Sequence, residues 1–239
     1  MTPMPGNARQ LPLALRYPPD QRYASFIAAP EGVIGQLRAL AATPGEALYL
    51  TGPPGAGKTH LALATCAHAE AEGRRAAYVP MAAAAGRLHD ALDALGAGVV
   101  ALDGLEAIAG SRDDEVALFD FHNRARQAGV SLLYVAQASP DGLGLALPDL
   151  RSRLAQCPRI VLAVLDDDGR RTVLQERAQR RGLVVDAAAL DWLLRRAGRD
   201  LAGLTRLLDQ LDQASLAAKR KVTVPFLREF LGETPQSSG

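Results

Sequence analysis

The chain has few cysteines, few aromatic side chains, almost no net charge and no long apolar run. Its 239 residues include only two cysteines, Cys66 and Cys157, which provide neither a disulfide framework nor a metal quartet. So low a cysteine content favours a reducing, cytoplasmic setting. The longest apolar stretches, residues 76–85 and 96–102, are too short or too interrupted to span a bilayer.

The charge and the aromatic content exclude further classes. Lys and Arg number 27 against 26 Asp and Glu, so the net charge of +1 is not that of a protein that coats a polyanion. The five Phe, five Tyr and one Trp are scattered, unlike the stacking series of single-strand binders. Pro3, Pro5 and Pro12 interrupt the N-terminus, which has no continuous apolar core and is therefore not a secretory signal. The composition is that of a globular chain of one or two domains.

Short apolar runs alternate with helix-length segments over the first two thirds of the chain. The five runs are rich in Val, Leu, Ile or Tyr and comprise Ala47–Thr51, Ala76–Pro80, Val99–Asp103, Ser131–Ala136 and residues 160–164. This alternation predicts βαβ units and a parallel five-stranded sheet flanked by helices. After about residue 166 the runs stop, and four helices are predicted at residues 172–182, 187–197, 201–218 and 225–231. We therefore expect an α/β domain followed by a small all-α domain.

These patterns divide the chain into four predicted segments. Residues 1–22 carry five prolines and no helical period, so they are predicted to be a flexible N-terminal segment. Residues 23–165 form the α/β domain, residues 166–233 form the helical domain, and residues 234–239 form a flexible tail.

A glycine-rich octapeptide follows the first apolar run and opens a helix. It has the pattern G-x-x-x-x-G-K-T and consists of Gly52-Pro53-Pro54-Gly55-Ala56-Gly57-Lys58-Thr59. Glycines let the backbone wrap closely round a phosphate, while consecutive amides and the helix N-terminus supply a positive field. Lys58 is then expected to reach the β- and γ-phosphates, Thr59 to ligate Mg²⁺, and His60 to lie at the same nucleotide site. Because the strand, the full motif and the helix occur together, a nucleotide site for ADP or ATP with Mg²⁺ is favoured over a plain Gly/Pro turn.

An apolar strand that ends in a carboxylate is the second element of such a site. Asp103 closes the run Val99–Asp103, where it is expected to hold Mg²⁺ directly or through water. Many ATPases carry a second carboxylate immediately afterwards, but this chain has Gly104 there and its next acid is Glu106. The chain's own ATP hydrolysis is therefore expected to be weak. The alternative interpretation is that Asp103 only caps the following turn.

Three further polar residues are candidates for contact with phosphate, and each also has a simpler interpretation as an ordinary surface residue. Gln137 follows the fourth apolar run, where a side chain at the tip of a central strand can contact the γ-phosphate; a surface loop is equally compatible with the sequence. Arg153 and Arg199 draw attention because an arginine supplied across an interface stabilises charge on a transferring phosphoryl group. Taken alone, both are more simply interpreted as solvated helix arginines.

The N-terminal segment holds a peptide of one amide and three spaced leucines, Gln10, Leu11, Leu13 and Leu15, which we call the leucine peptide. Such a peptide suits a partner's pocket, in which the amide is hydrogen-bonded and the leucines are buried. Packing of the same side chains on the chain's own domain is at least as compatible with the sequence.

Taken together, these motifs resemble the AAA+ module of the DnaA-related family. The resemblance covers residues 10–231 and rests on the P-loop, the Asp103 strand, Ser152-Arg153-Leu154 and Gly198-Arg199-Asp200-Leu201. Residues 102–110, residues 208–226 and the leucine peptide resemble the branch of this family that inactivates the bacterial initiator DnaA. The resemblance implies a P-loop AAA+ module followed by a helical lid domain.

The resemblance also implies a role for each matched residue. The leucine peptide matches the family motif that docks on the sliding clamp, the beta subunit of DNA polymerase III, on DNA. Arg153 matches the arginine finger that reaches the ATP of a neighbouring DnaA and promotes its hydrolysis. Arg199 matches the arginine that contacts the bound nucleotide from the lid, and Gln137 occupies a position where related proteins often carry an acid. Residues 23–27 resemble the linker that flanks the adenine.

The implied function is negative regulation of replication initiation, in which clamp-bound protein converts DnaA–ATP to inactive DnaA–ADP. The implied partners are DnaA and the clamp, with no membrane; a homo-oligomer is left open. Direct sequence-specific DNA binding is not expected, because the residues after Leu231 leave no room for the helix-turn-helix domain of DnaA. Two alternatives remain: an AAA+ ATPase of helicase-loader type that uses Lys58, Asp103 and Glu106, and a non-catalytic adaptor that binds DnaA.

Overall fold

A computed structural model describes residues 21–26, 29–196, 201–218 and 221–232 of the chain. Its five strands are β1 (Ala47–Thr51), β2 (Ala76–Pro80), β3 (Val99–Asp103), β4 (Ser131–Ala136) and β5 (Arg159–Val161). They form one sheet in the order β2-β3-β4-β1-β5, and every neighbouring pair is parallel. The parallel sheet and the helical region that follows it confirm the predicted fold class.

Helices connect the strands and form the C-terminal region. They are α1 (Val33–Ala42), α2 (Lys58–Ala71), α3 (Met81–Ala84), α4 (Leu88–Asp93), α5 (Arg112–Gln127), α6 (Pro148–Ala155), α7 (Asp167–Arg180), α8 (Ala187–Arg196), α9 (Leu201–Ala218) and α10 (Val224–Phe230). Among the helices of the described residues, none combines the length and the apolar character needed to cross a membrane.

The sheet is buried because apolar side chains project from both of its faces. Leu48 and Leu50 of β1 pack in a cluster with α1 and α2, whereas Tyr49 packs in a second cluster with α4, α5 and α6. All residues of β1 and β4 are buried, which explains why these strands are continuous apolar runs rather than alternating ones. Helices on both faces leave the carboxyl edge of the sheet, where the strands end, accessible to a ligand.

Two elements differ from the predicted bounds by more than one residue. β5 ends at Val161 rather than at residue 164, because it is an edge strand, and β1, its only partner among the described strands, ends opposite it at Thr51. The helix predicted to start at residue 172 starts at Asp167, since the carboxylate of Asp166 caps it by accepting a 2.8 Å hydrogen bond from the Gly169 amide.

The C-terminal helices have an apolar core of their own. It is formed by buried side chains of α7, α8, α9 and α10, including Leu174, Leu190, Leu208 and Phe226. At the edge of this core, the carboxylate of Asp209 forms ion pairs with Arg177 and Arg181. These helices therefore pack as a small bundle, as the sequence pattern predicted.

Two buried carboxylates at the start of α5 hold the loops on this side of the sheet. Glu115 is fully buried and accepts hydrogen bonds from the backbone amides of Gly110, Ala146 and Leu147 at 2.6–3.0 Å. Asp114 accepts in the same way from the Gly86 amide and from the hydroxyl of Ser111. Because Leu147 immediately precedes α6, Glu115 fixes the place at which α6 begins.

Candidate nucleotide-binding site

The candidate site lies at the carboxyl edge of the sheet, where three adjacent strands end side by side. β4 lies between β3 and β1, with Thr51 paired to Ala136 and Asp103 paired to Val135. The residues that follow these pairs, Gly52 and Gln137, therefore meet Asp103 at one edge. The structure thus brings the octapeptide, Asp103 and Gln137 together from separate parts of the chain.

Two glycines of the octapeptide are required by close contacts of the loop. A Cβ atom at Gly52 would collide with the backbone carbonyl of Leu162, just after β5. Gly57 has φ of 87°, and a Cβ there would lie 2.6 Å from Cε2 of Phe26. Residues 53–55 are exposed, whereas Ala56 is buried in the cluster with α1 and α2. The loop is anchored at both ends with its exposed turn between them, and this arrangement fits a phosphate.

Lys58 begins α2 and curls back over the loop. Its Nζ donates hydrogen bonds to the carbonyl oxygens of Gly52 at 2.6 Å and Pro53 at 2.9 Å. Burial lowers the pKa of Lys58 below its ordinary value, and the nearby carboxylates of Glu106 and Asp103 oppose this shift. The ammonium group thus lies above the glycine loop, within the electrostatic reach of two acids.

Oδ2 of Asp103 accepts two hydrogen bonds from hydroxyl groups. Thr59 donates one from the first turn of α2 and Tyr78 donates the other from β2, both at 2.7 Å. A threonine hydroxyl beside an aspartate provides hard oxygen donors of the kind that Mg²⁺ prefers, so these residues fit the predicted metal. Burial and the charge of Asp103 raise the pKa of Tyr78 well above its usual range, so Tyr78 remains a donor.

Glu106 lies at the same edge, on a short 3-10 turn that follows Gly104. Gly104 adopts φ of 86° and its amide donates to the carbonyl of Val135, which turns the chain sharply after β3. Oε2 of Glu106 accepts a 3.3 Å hydrogen bond from the backbone amide of Gln137. The next acid after Asp103 in the chain therefore lies at the same edge of the sheet.

His60 faces the segment that precedes α1. Its Nε2 lies 3.0 Å from the carbonyl oxygen of Arg22, and its ring makes an edge-on contact with Phe26 at 5.2 Å between centroids. Tyr23, from the same segment, donates a 2.8 Å hydrogen bond to the hydroxyl of Thr65 in α2. The predicted adenine-flanking segment is therefore attached to the helix that follows the P-loop.

Arg153 lies at the opposite edge of the sheet. It is exposed in the last turn of α6 and lines a small cleft beside Glu46 and Ala47, where β1 begins. The four residue steps of β1 span about 13 Å from that cleft to the glycine loop. Arg153 is therefore separated from the residues gathered round Asp103.

Tyr78 is not among the site residues predicted from the sequence, although it stands in the apolar run that forms β2, two residues before the end of that run. Its hydrogen bond to Asp103 depends on β2 lying next to β3, with Tyr78 paired to Ala101 on the face shared with Asp103. Two predicted elements, Arg199 and the leucine peptide, lie outside the described residues.

Two family models match the chain. The model of IstB-like ATP binding proteins matches residues 10–133, just over half of the chain. The model of the Hda lid domain matches residues 167–231, which contain the C-terminal helical bundle. The first match covers the glycine loop, Asp103 and the α/β elements up to β4.

Solved structures with this fold include replication and recombination proteins. Domain III of the replication initiation protein DnaA from Thermotoga maritima has a TM-score of 0.76 at 17% identity, covering 92% of this chain and 99% of that chain. AMPPCP-bound DnaA from Aquifex aeolicus has a TM-score of 0.65 at 18% identity, covering 81% of this chain and 66% of that chain. The Thermotoga maritima RuvB Holliday junction branch migration motor has a TM-score of 0.62 at 18% identity, covering 89% of this chain and 71% of that chain. At these identities the similarity is one of fold.

Proposed function

The chain belongs to the IstB-like ATP-binding family and is an Hda/DnaA-related AAA+ protein, and from this premise we propose that it inactivates DnaA. In this proposal the protein acts in the cytoplasm as a negative regulator of replication initiation. It binds the sliding clamp on DNA through the leucine peptide and promotes hydrolysis of the ATP held by DnaA. The product is DnaA–ADP, which no longer initiates.

The position of Arg153 is the observation that carries this proposal. Arg153 is exposed at the edge of the sheet opposite the P-loop, and the length of β1 separates it from the chain's own phosphate site. An arginine so placed is too far from the chain's own phosphates to contact them, so in this proposal it acts on a nucleotide that another protomer presents. Arginine fingers supplied across an interface accelerate phosphoryl transfer by about 10³- to 10⁵-fold.

The chain's own nucleotide has a structural role in the proposal. Lys58 and the glycine loop hold the phosphates of ADP or ATP, and Thr59 and Asp103 hold Mg²⁺. Bound Mg²⁺ supplies neutralising charge on the β- and γ-phosphates. His60 and the attached segment orient the base end, while Arg199 from the lid contacts the same nucleotide. The loaded site holds the α/β domain and the lid in the arrangement that meets DnaA.

The proposal is tested by hydrolysis of ATP that is bound to DnaA before mixing, in the presence of clamp loaded on DNA. Arg153→Ala is expected to retain nucleotide and clamp binding but to reduce the stimulated rate by about 10³-fold. Arg151→Ala is the matched control, because Arg151 is an exposed arginine on the same helix. Full stimulation by Arg153→Ala would contradict the catalytic role and leave an adaptor that binds DnaA without catalysis.

Clamp binding is tested separately with the leucine peptide. Gln10→Ala is expected to abolish the stimulation that clamp on DNA provides. Asn7→Ala, in the same segment, is expected to retain this stimulation. Retention of clamp binding by Gln10→Ala would show that this peptide is not the docking element.

A second candidate function, an ATPase of helicase-loader type, is favoured by Glu106. Its carboxylate accepts a hydrogen bond from the backbone amide of Gln137 and lies within electrostatic reach of Lys58. An acid is therefore present at the edge of the sheet that carries the P-loop. Steady ATP turnover by the protein alone, lost in Glu106→Gln, would support this candidate. Weak turnover that Glu106→Gln leaves unchanged would exclude it.

A further inference from the structure

The cleft that contains Arg153 also contains a second arginine, Arg126, from the end of α5. The cleft has a volume of about 200 Å³, and its walls include Glu46, His122, Arg126, Arg153, Gln156 and Cys157. Sites for whole small molecules usually measure about 300–1,000 Å³. A cleft of this size suits a single phosphoryl group rather than a complete nucleotide.

Arg126 and Arg153 differ from a nearby arginine in their ion pairing. Within the described part of the chain neither makes an ion pair, whereas Arg124, on the same helix as Arg126, is paired with Asp93. Both guanidinium groups lie close enough to His122 to help lower its pKa, although burial is the main cause. The two arginines therefore create one shared positive field.

The other side chains that line the cleft do not cancel the positive charge of the two arginines. Burial raises the pKa of the Cys157 thiol to about 11, so this side chain is neutral at physiological pH. His122 is buried and neutral, with Nδ1 2.7 Å from the hydroxyl of Tyr134. Glu46 is the one carboxylate among these walls, so two positive charges face one negative charge.

We infer that Arg126 acts together with Arg153 as a two-arginine receptor for a phosphoryl group on a nucleotide held by a neighbouring AAA+ protomer. This inference rests on the proposed function, which assigns such a contact to Arg153 and does not involve Arg126. Each guanidinium presents a planar fork of N–H donors that matches phosphate oxygens, so two forks bind several oxygens of one group. The neighbour is DnaA or a second copy of this chain.

The test measures single-turnover hydrolysis of ATP bound to DnaA, with clamp on DNA, over a range of concentrations of this protein. The range yields a maximal rate and a half-saturating concentration. Arg126→Ala is expected to lower the maximal rate by about tenfold or more and to leave the half-saturating concentration unchanged. Arg126→Lys is expected to restore only part of the rate, because it keeps the charge but loses the fork.

Arg112→Ala is the matched control for Arg126, since Arg112 is exposed at the other end of α5, about 21 Å away along the helix. Thermal unfolding of each variant checks that the fold is retained. If Arg126→Ala matches Arg112→Ala while Arg153→Ala remains inactive, the receptor is wrong and the proposed function stands. If only the half-saturating concentration changes, Arg126 is a docking residue and the inference is also wrong. If Arg153→Ala is fully active, the proposed function itself fails.

The identity of the neighbour is distinguished by ATP turnover of this protein alone at increasing concentration. Turnover per molecule that rises with concentration and falls in Arg126→Ala assigns the receptor to a second copy of the chain. Turnover that is independent of concentration, with a defect confined to the DnaA reaction, assigns it to DnaA.

Discussion

The hydroxyl of Thr59 donates a 2.7 Å hydrogen bond to Oδ2 of Asp103, which joins the first turn of α2 to the tip of β3. The same oxygen accepts a second bond from Tyr78 at 2.7 Å. Two hydrogen bonds to one oxygen fix the rotamer of the carboxylate. Asp103 is therefore held in position from β2 as well as from the P-loop helix.

We expect Tyr78→Phe to weaken Mg²⁺-dependent nucleotide binding by about 3- to 10-fold, because it removes one hydrogen bond to a charged group. Binding in the presence of EDTA should change much less, since Asp103 is expected to act through the metal. Titration calorimetry of ATP with and without Mg²⁺ measures both values.

Tyr49→Phe is the control for this prediction. The hydroxyl of Tyr49 donates to the carbonyl of Ala138 at 2.8 Å and does not contact Asp103. Equal effects of Tyr49→Phe and Tyr78→Phe on Mg²⁺ dependence would mean that Tyr78 has no positioning role.

Gly52→Ala tests the contact between the P-loop and the edge strand. The added methyl group would collide with the carbonyl of Leu162, and backbone cannot move aside as a flexible side chain does. We expect a loss of about 1–3 kcal/mol in the free energy of unfolding, together with impaired nucleotide binding. Denaturant unfolding and a binding titration measure the two effects.

The control for Gly52→Ala is Gly35→Ala. Gly35 lies within α1, and a Cβ there meets nothing within 4 Å. Since alanine favours a helix over glycine by about 1 kcal/mol, this change should be neutral or stabilising. Similar destabilisation by both changes would contradict the proposed contact.

The sequence predicted those features that depend on local patterns. The strands β1 and β3 have the predicted bounds because their apolar runs end at polar or glycine residues, and the P-loop was recognisable from its spacing. The end of β5 was predicted wrongly, since it depends on where its partner β1 ends. Tyr78 was missed for a similar reason: its contact with Asp103 follows from strand order, which no local pattern contains.

Glu115 is a second residue that the pattern could not reveal. It stands in a run of acids at the start of α5, yet it is fully buried. Its amide donors at Ala146 and Leu147 are more than 30 residues away along the chain. Only the packing of α6 against α5 brings these groups together.

We expect Glu115→Gln to lower the free energy of unfolding by about 2–3 kcal/mol, because it removes charge-assisted bonds and places an N–H group against amide donors. Since Leu147 precedes α6, stimulation of a partner's ATPase through Arg153 should fall as well. Denaturant unfolding and the DnaA–ATP assay measure these effects.

Asp113→Asn is the control for Glu115→Gln, because Asp113 is exposed in the same turn of α5. We expect it to change the free energy of unfolding by less than about 0.5 kcal/mol. A small effect at Glu115, comparable to that at Asp113, would show that α6 is positioned by other contacts.

The buried pair of His122 and Tyr134 predicts a pH dependence of stability. Burial, with smaller effects from Arg126 and Arg153, lowers the pKa of His122 below its ordinary value of 6.5. As the pH falls below 6.5, the unfolded chain takes up a proton on His122 that the folded chain does not. Folding stability contributed by this residue is therefore complete above pH 6.5 and decreases below it, by up to about 1.4 kcal/mol per pH unit, until the folded pKa is reached.

His122→Gln should remove this slope, so that the variant loses less stability than the wild type between pH 7.5 and pH 5. Guanidinium unfolding at several pH values measures the difference, and ionisable groups elsewhere affect both proteins equally. His89→Gln is the control, because His89 is exposed on α4. This variant should keep the wild-type slope. If His122→Gln also keeps it, another group takes up the proton and the His122–Tyr134 pair does not limit stability in acid.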